Sequence, residues 1–191
     1  MVFRGSTFLA RMPPTRPQTT KVVRQAGGMP SCQLALVVAS SAQAGGIARA
    51  RRAGVPVEVV ETDRFVTPEQ EARLLDVLGC YDIDVIALAG YLCILSDTFV
   101  AQYPDRILNV HPSLIPAFCG AGYHGLFVHQ AALARGVKLT GATVHYVNAG
   151  IDEGRIILQK AVPVEQGDTP EALQKRVMEQ AEWVLLPQAM E

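Results

Sequence analysis

Acidic side chains are missing altogether from residues 1–31, where five basic residues (Arg4, Arg11, Arg16, Lys21 and Arg24) and prolines at 13, 14, 17 and 30 accumulate instead. The remainder carries 12 basic residues against all 18 acidic ones, so a compositional boundary falls near Ser31. Taken whole, the chain lacks a charge excess: 17 Lys and Arg face 18 Asp and Glu. Such a balance supplies no field that would draw nucleic acid or an anionic membrane. Apolar runs approaching the roughly 18 residues of a membrane span are also missing, which argues against a helical membrane protein. The four cysteines (Cys32, Cys80, Cys93 and Cys119) are widely spaced and include no Cys-x-x-Cys pair. That spacing argues against a zinc site and against a disulfide framework. A soluble, cytoplasmic protein with reduced thiols is the expectation.

What is present suffices for one domain with a sizeable core: 191 residues, 49% of them hydrophobic. Leu34–Ser40 is a short apolar run of the kind buried on both faces of a parallel sheet. Val57–Val60, Asp84–Ala89 and Ile107–Val110 repeat the pattern. Helical signals lie between them. Gly45-Gly46 opens one helix. Thr67-Pro68-Glu69 opens another with an N-cap, a proline at the first position and an early acid, and carries Leu74, Leu75 and Leu78 inward. Ser96 caps a short helix, Gly136 ends one running from Gly125, and Thr169–Ala189 reads as one amphipathic helix with Leu173, Val177, Ala181 and Leu185 inward. The alternation predicts an α/β fold: a doubly wound, mostly parallel sheet with helices on both faces.

The chemistry concentrates between Asp105 and Gly154. Pro112 biases His111 toward extended backbone, and in an extended segment side chains two apart share a face about 6.6 Å from each other. Asn109 and His111 therefore point the same way at the end of a strand, where open α/β sheets place ligand sites. Further on, Thr140–Val147 alternates so that Thr143 and His145 share a face, and Asp152 lies in a loop between Gly150 and Gly154. An amide, an imidazole and a carboxylate can supply a carbonyl-polarising donor, a group titrating near neutrality and a partner that orients or charges it. The set suits acyl transfer without a covalent intermediate. Loop caps and a turn carboxylate would leave the same trace, and His124 and His129 read as loop and helix-face residues.

The strings Leu108-Asn109-Val110-His111-Pro112-Ser113-Leu114-Ile115-Pro116, Gly141-Ala142-Thr143-Val144-His145 and Ile151-Asp152-Glu153-Gly154 together resemble the folate-dependent formyltransferases, over about Leu34 to Pro187. The resemblance is strongest to the branch that formylates glycinamide ribonucleotide in purine synthesis. It implies 10-formyltetrahydrofolate as co-substrate, no metal, small-molecule partners only, and a monomer or homodimer. It also implies that Asn109, His111 and Asp152 are catalytic and that Thr143 and His145 support them. Leu92, Ile94 and Leu95, with Asp152, would contact the folate. Pro112, Ser113 and Glu182 would contact the amine substrate. Cys93 and Ala149 depart from the family pattern, which usually has an Arg and an acid there.

Family resemblance also implies an N-terminal strand, a glycine-rich phosphate loop and a helix. Residues 1–31 match this poorly: the strand would be Met1-Val2-Phe3, Gly5-Ser6-Thr7 a remnant of the loop, and Pro13-Pro14 would break the helix. An altered gene end or reading frame, an Arg-rich transit-like peptide, and an unusual phosphate loop remain open for this segment. Residues 32–191 form the expected formyltransferase domain. Two further activities stay open: a formyltetrahydrofolate hydrolase, a group that usually carries an extra N-terminal domain, and a catalytically impaired folate-binding protein. Formyl transfer to methionyl-tRNA, whose family carries a basic C-terminal domain, is not the expected activity.

Overall fold

The computed structural model describes residues 6–11, by backbone alone, and residues 32–191. It separates into two compact units, one running to Leu108 with Met190–Glu191 added, the other Asn109–Ala189. The expected strand at Met1-Val2-Phe3, Gly5 of the loop and the Pro13-Pro14 break lie outside the described residues.

In the first unit the strands are β1 (Ser6–Arg11), β2 (Gln33–Ala39), β3 (Val57–Val59) and β4 (Val85–Ala89), in the order β3-β2-β1-β4. β2 and β3 are parallel, with Val37 opposite Val57. Leu36–Ala39 and Ile86–Ala89 are buried without alternation, as strands covered on both faces must be. β1 departs from expectation. It runs antiparallel to both neighbours, Phe8 opposing Val37 on one side and Ala87 on the other, so the sheet is mixed. Ser6 and Thr7 thus belong to a strand and not to a loop. A parallel neighbour requires a crossover connection, whereas an antiparallel one does not.

Helices α1 (Gly46–Arg52), α2 (Pro68–Gly79) and α3 (Asp97–Val100) complete this unit. Thr67 caps α2 as its sequence predicts: Thr67 Oγ1 accepts from Gln70 N and Gln70 Oε1 accepts from Thr67 N. Ser96 caps α3, accepting from Phe99 N at 3.2 Å. The buried Glu71 carboxylate holds that cap in turn, accepting from Ser96 N at 2.6 Å and Ser96 Oγ at 2.5 Å.

β5 (Ile107–His111) carries the chain into the second unit, where β6 (Leu139–Tyr146) lies between it and β7 (Ile156–Pro163). β6 and β7 pair antiparallel, Thr143 opposite Gln159. α4 (Leu126–Arg135) ends at Gly136, whose φ of 73° is the left-handed conformation that closes helices. The C-terminal segment is not the single helix expected. α5 (Pro170–Val177) gives way to a π-helical turn, Met178–Glu182, and then to α6 (Trp183–Met190). The cause lies in the spacing of Leu173, Val177, Ala181 and Leu185, all buried. Four-residue steps drift about 40° each on a 3.6-residue helix, and one wider turn takes up the drift.

Candidate active site

β5 ends with Asn109 and His111 on one face, as the alternation requires, and β6 brings up Thr143 and His145. The loop after β6 supplies Asp152, whose φ of 60° is left-handed and costly for a residue with a Cβ. Gly154 permits this loop to close on β6. A Cβ at Gly154 would sit 1.7 Å from Tyr146 O, so no side chain fits. That same carbonyl receives a hydrogen bond from His145 Nδ1 at 2.8 Å.

The partners of each ring determine its tautomer. A carbonyl only accepts, so His145 carries its proton on Nδ1 and, when neutral, presents a bare Nε2. Nε2 accepts from Asn109 Nδ2 at 3.2 Å, which fixes the direction of the Asn109 amide. The second N–H of that amide has no partner among the described residues. His111 Nε2 donates to Phe118 O at 2.9 Å by the same reasoning. His111 Nδ1 therefore faces Asp152 Oδ2, 3.4 Å away, while Asp152 Oδ1 lies 3.6 Å from His145 Nε2. Gly120 N donates to Asp152 Oδ2 at 3.0 Å. One carboxylate thus sits between two buried imidazoles.

Burial pushes His111 below the ordinary imidazole value; the Asp152 charge and the Phe118 carbonyl pull it back, and His145 adds to the depression. For Asp152 burial pulls upward, but the contact with His145, the charge of His111 and the Gly120 amide outweigh it and hold the carboxyl low. Burial and the neighbouring carboxylate therefore act on His111 in opposite directions, beside a carboxyl that is held ionised. Desolvation of the ring thus works against the imidazolium that the Asp152 charge favours. A proton placed on Nδ1 would nevertheless lie between the ring and a carboxylate ready to receive it.

Other candidate residues take varied places. Ser113 is fully buried, and its hydroxyl donates to Ala117 O at 2.6 Å, so it shapes the turn after Pro112 and keeps no hydrogen for a ligand. Glu182 falls in the π-helical turn, which packs on β6 and β7. It makes no hydrogen bond or ion pair among the described residues. Although part of its surface remains accessible, its carboxyl lies deep in protein, and burial pushes it up to about 7. Leu92, Ile94 and Leu95 belong to the first unit. Leu92 is 59% exposed, Ile94 bridges to Phe65 through its backbone, and Leu95 lines an apolar void of about 10 Å³ beside Val38 and Phe99.

Sequence reasoning missed several groups that hold the site: Phe118 O, Gly120 N, Tyr146 O and the side chain of Gln159. Three are backbone atoms, which leave no mark in residue identity. The burial of His129 also went unread. That residue does lie on a helix, but on its buried face, fully covered, with no partner for either ring nitrogen among the described residues, and burial together with the nearby His111 lowers it to about 4. All four cysteines are free. Cys119 borders the loop, yet burial and the charges of Asp152 and Glu153 raise its thiol, which disfavours the reactive thiolate. Among the described residues no group of His, Cys, Asp and Glu is arranged to hold a metal, and no helix is long and apolar enough to cross a membrane.

Comparison with known proteins bears on the same residues. A phosphoribosylglycinamide formyltransferase of Arabidopsis thaliana chloroplasts is 43% identical over 145 residues, 75% of this chain and 50% of its own length. A formyltetrahydrofolate deformylase of Bacillus subtilis is 43% identical over 122 residues, 64% of this chain and 39% of its own. This chain therefore spans half or less of either relative. The crystal structure of glycinamide ribonucleotide transformylase 1 from Symbiobacterium toebii superposes with a TM-score of 0.77 at 40% identity, covering 88% of this chain and 76% of that one. The family model described as formyl transferase matches residues 17–190. With that match taking in the asparagine, both imidazoles and the carboxylate just described, the chain belongs to the formyl transferase family.

Proposed function

We propose that this protein transfers the formyl group of 10-formyltetrahydrofolate to the primary amine of glycinamide ribonucleotide, a step of purine biosynthesis. The observation that carries the reading is the unspent N–H of Asn109 beside His111, whose Nδ1 faces Asp152. When the amine nitrogen bonds to the formyl carbon, the carbonyl oxygen takes up negative charge, and that N–H is placed to donate to it. The amine must also shed a proton. His111 Nδ1 receives it, through water, and Asp152 braces the imidazolium that results. Nε2–H then becomes a charged donor, for which the oxyanion competes with the neutral carbonyl of Phe118. Collapse breaks the bond from the formyl carbon to the folate nitrogen, and the stored proton goes to that nitrogen. Atoms and charge balance without a metal.

Thr143 and His145 support this set, Pro112 and Ser113 shape the turn beside it, and Glu182 offers a carboxyl to the amine substrate. In the first unit Leu92, Ile94 and Leu95 offer apolar surface to the folate, and Leu92 is open to a ligand. A cytoplasmic setting suits the four free cysteines. Monomer and homodimer both suit the reading.

The similarity to a deformylase supports a second reading, transfer of the formyl group to water. One assay separates the two: 10-formyltetrahydrofolate consumption with and without glycinamide ribonucleotide, scoring formylated amine against free formate. Amine-dependent product is expected. Formate released at the same rate whether or not amine is present would give the hydrolase reading instead, and bound folate with no product of either kind would indicate an impaired folate-binding protein.

A further inference from the structure

Between His111 and Phe118 the chain makes a turn whose backbone is held by side chains from two other strands. Thr143 Oγ1 donates its single hydrogen to Ser113 O at 2.7 Å and accepts from Ile115 N at 3.1 Å. Gln159, directly opposite Thr143 in the β6–β7 pairing, uses both hydrogens of Nε2: one to Ile115 O at 3.0 Å, the other to Thr143 Oγ1 at 3.0 Å. Because Ile115 O can only accept, the Gln159 amide has one possible direction. Thr143 Oγ1 is then saturated, and both backbone groups of Ile115 are held by side chains. Two residues on, Ala117 O is tied to Ser113 Oγ, and immediately after it come Phe118 O, which holds His111, and Gly120 N, which holds Asp152.

We propose that Gln159 is a positioning residue for the reaction: through Thr143 and Ile115 it fixes the turn that sets the direction of the His111 ring and the place of Asp152. Gln159 is exposed and touches no reacting atom. It acts through hydrogen bonds that only a side chain of its length with two donors can make. An acceptor cannot replace it. A carboxylate there would face Ile115 O with a second acceptor, and could bond Thr143 only by taking the hydrogen that Ser113 O receives.

The inference rests on the formyl-transfer reading, so its test has an arm that needs no turnover. Gln159→Glu and Gln159→Met keep the length of the side chain and remove the donors. In both, kcat is expected to fall about 10- to 100-fold, the cost of displaced catalytic groups, while KM and Tm stay close to wild type. Nitrogen-15 NMR of the histidine rings is expected to show the His111 Nε2–H resonance and its titration midpoint displaced in the variants, with no substrate present. Gln159→Lys restores donors at nearly the same reach and is expected to recover part of both. If kcat and the His111 resonances match wild type in both donor-free variants, the proposal is wrong. The same holds if activity falls only in proportion to unfolded protein while His111 is unchanged in the folded fraction. Should the wild type itself fail to transfer formyl groups, that result removes the functional reading, and the NMR arm alone decides on Gln159.

Discussion

At the scale of single residues, function depends on which nitrogen of which ring holds a proton. Asn109 is aimed by its contact with His145 Nε2, so Asn109→Ala removes an aimed donor and not a general contact. Its kcat is expected to fall about 10²- to 10³-fold, with KM for folate little changed, in steady-state assays of formylated product. His111 must start neutral to accept a proton. Activity is therefore expected to be lost as pH falls through a midpoint below the ordinary 6.5 of imidazole, because burial depresses this ring. Asp152→Asn removes the charge that pulls His111 back up, so the midpoint in a pH–rate profile should move lower still. A midpoint unmoved by that substitution would disconnect the pair.

His129 makes a separate demand on pH, through stability. Its folded pKa of about 4 lies under the 6.5 of an exposed imidazole, so the unfolded chain binds the proton first and stability drops as pH falls. Between pH 7 and pH 5 the loss from this ring is about 2 kcal/mol. Urea unfolding at the two pH values should show it, and His129→Leu should abolish most of that difference. An equal difference in the variant would place its origin elsewhere.

Individual elements set where those residues stand. Gly154 lets the Asp152 loop touch β6, and Gly154→Ala is expected to force the loop off Tyr146 O, lowering kcat at least 10-fold by displacing Asp152. An active Gly154→Ala enzyme would mean the loop position is not critical. The π-helical turn has a simple reading: it holds one residue more than the face needs. Deleting Gln180 would leave buried positions spaced four, three and four apart, the spacing of an ordinary helix. The deletion is expected to cost under about 1 kcal/mol by urea unfolding, with the π turn replaced by α-helix.

Legibility also varies by element. Asn109 and His111 were readable because strand alternation and Pro112 fix their directions locally. The Thr67 and Ser96 caps were readable from the residues that make them. The π turn was not, since Leu173, Val177, Ala181 and Leu185 fit an ordinary helix over any one step and misfit only when the drift is summed. Phe118 O, Gly120 N and Tyr146 O could not be read at all, because every residue has such atoms. Gln159 carried a faint signal, a polar side chain opposite Thr143, visible only once the pairing of β6 with β7 is known.

For the whole molecule, the α/β class was legible from alternating apolar runs and helix caps, but the direction of β1 was not. A strand's direction depends on the connection that leaves it, and the basic, proline-rich residues 12–31 carry no alternating pattern from which to read one. The proposed catalytic set is local to Asn109–Ala189, so its chemistry can be tested without settling the N-terminal segment. The measurement that does so most directly is a rapid-quench single turnover of the full chain with both substrates, comparing wild type with Asp152→Asn under conditions where both are folded by circular dichroism. Formylated amine should appear in the wild type, and its rate should fall about 10²-fold or more in the variant. Equal rates in the two proteins, or no formylated amine from the wild type, would contradict the assignment of this asparagine, imidazole and carboxylate to formyl transfer.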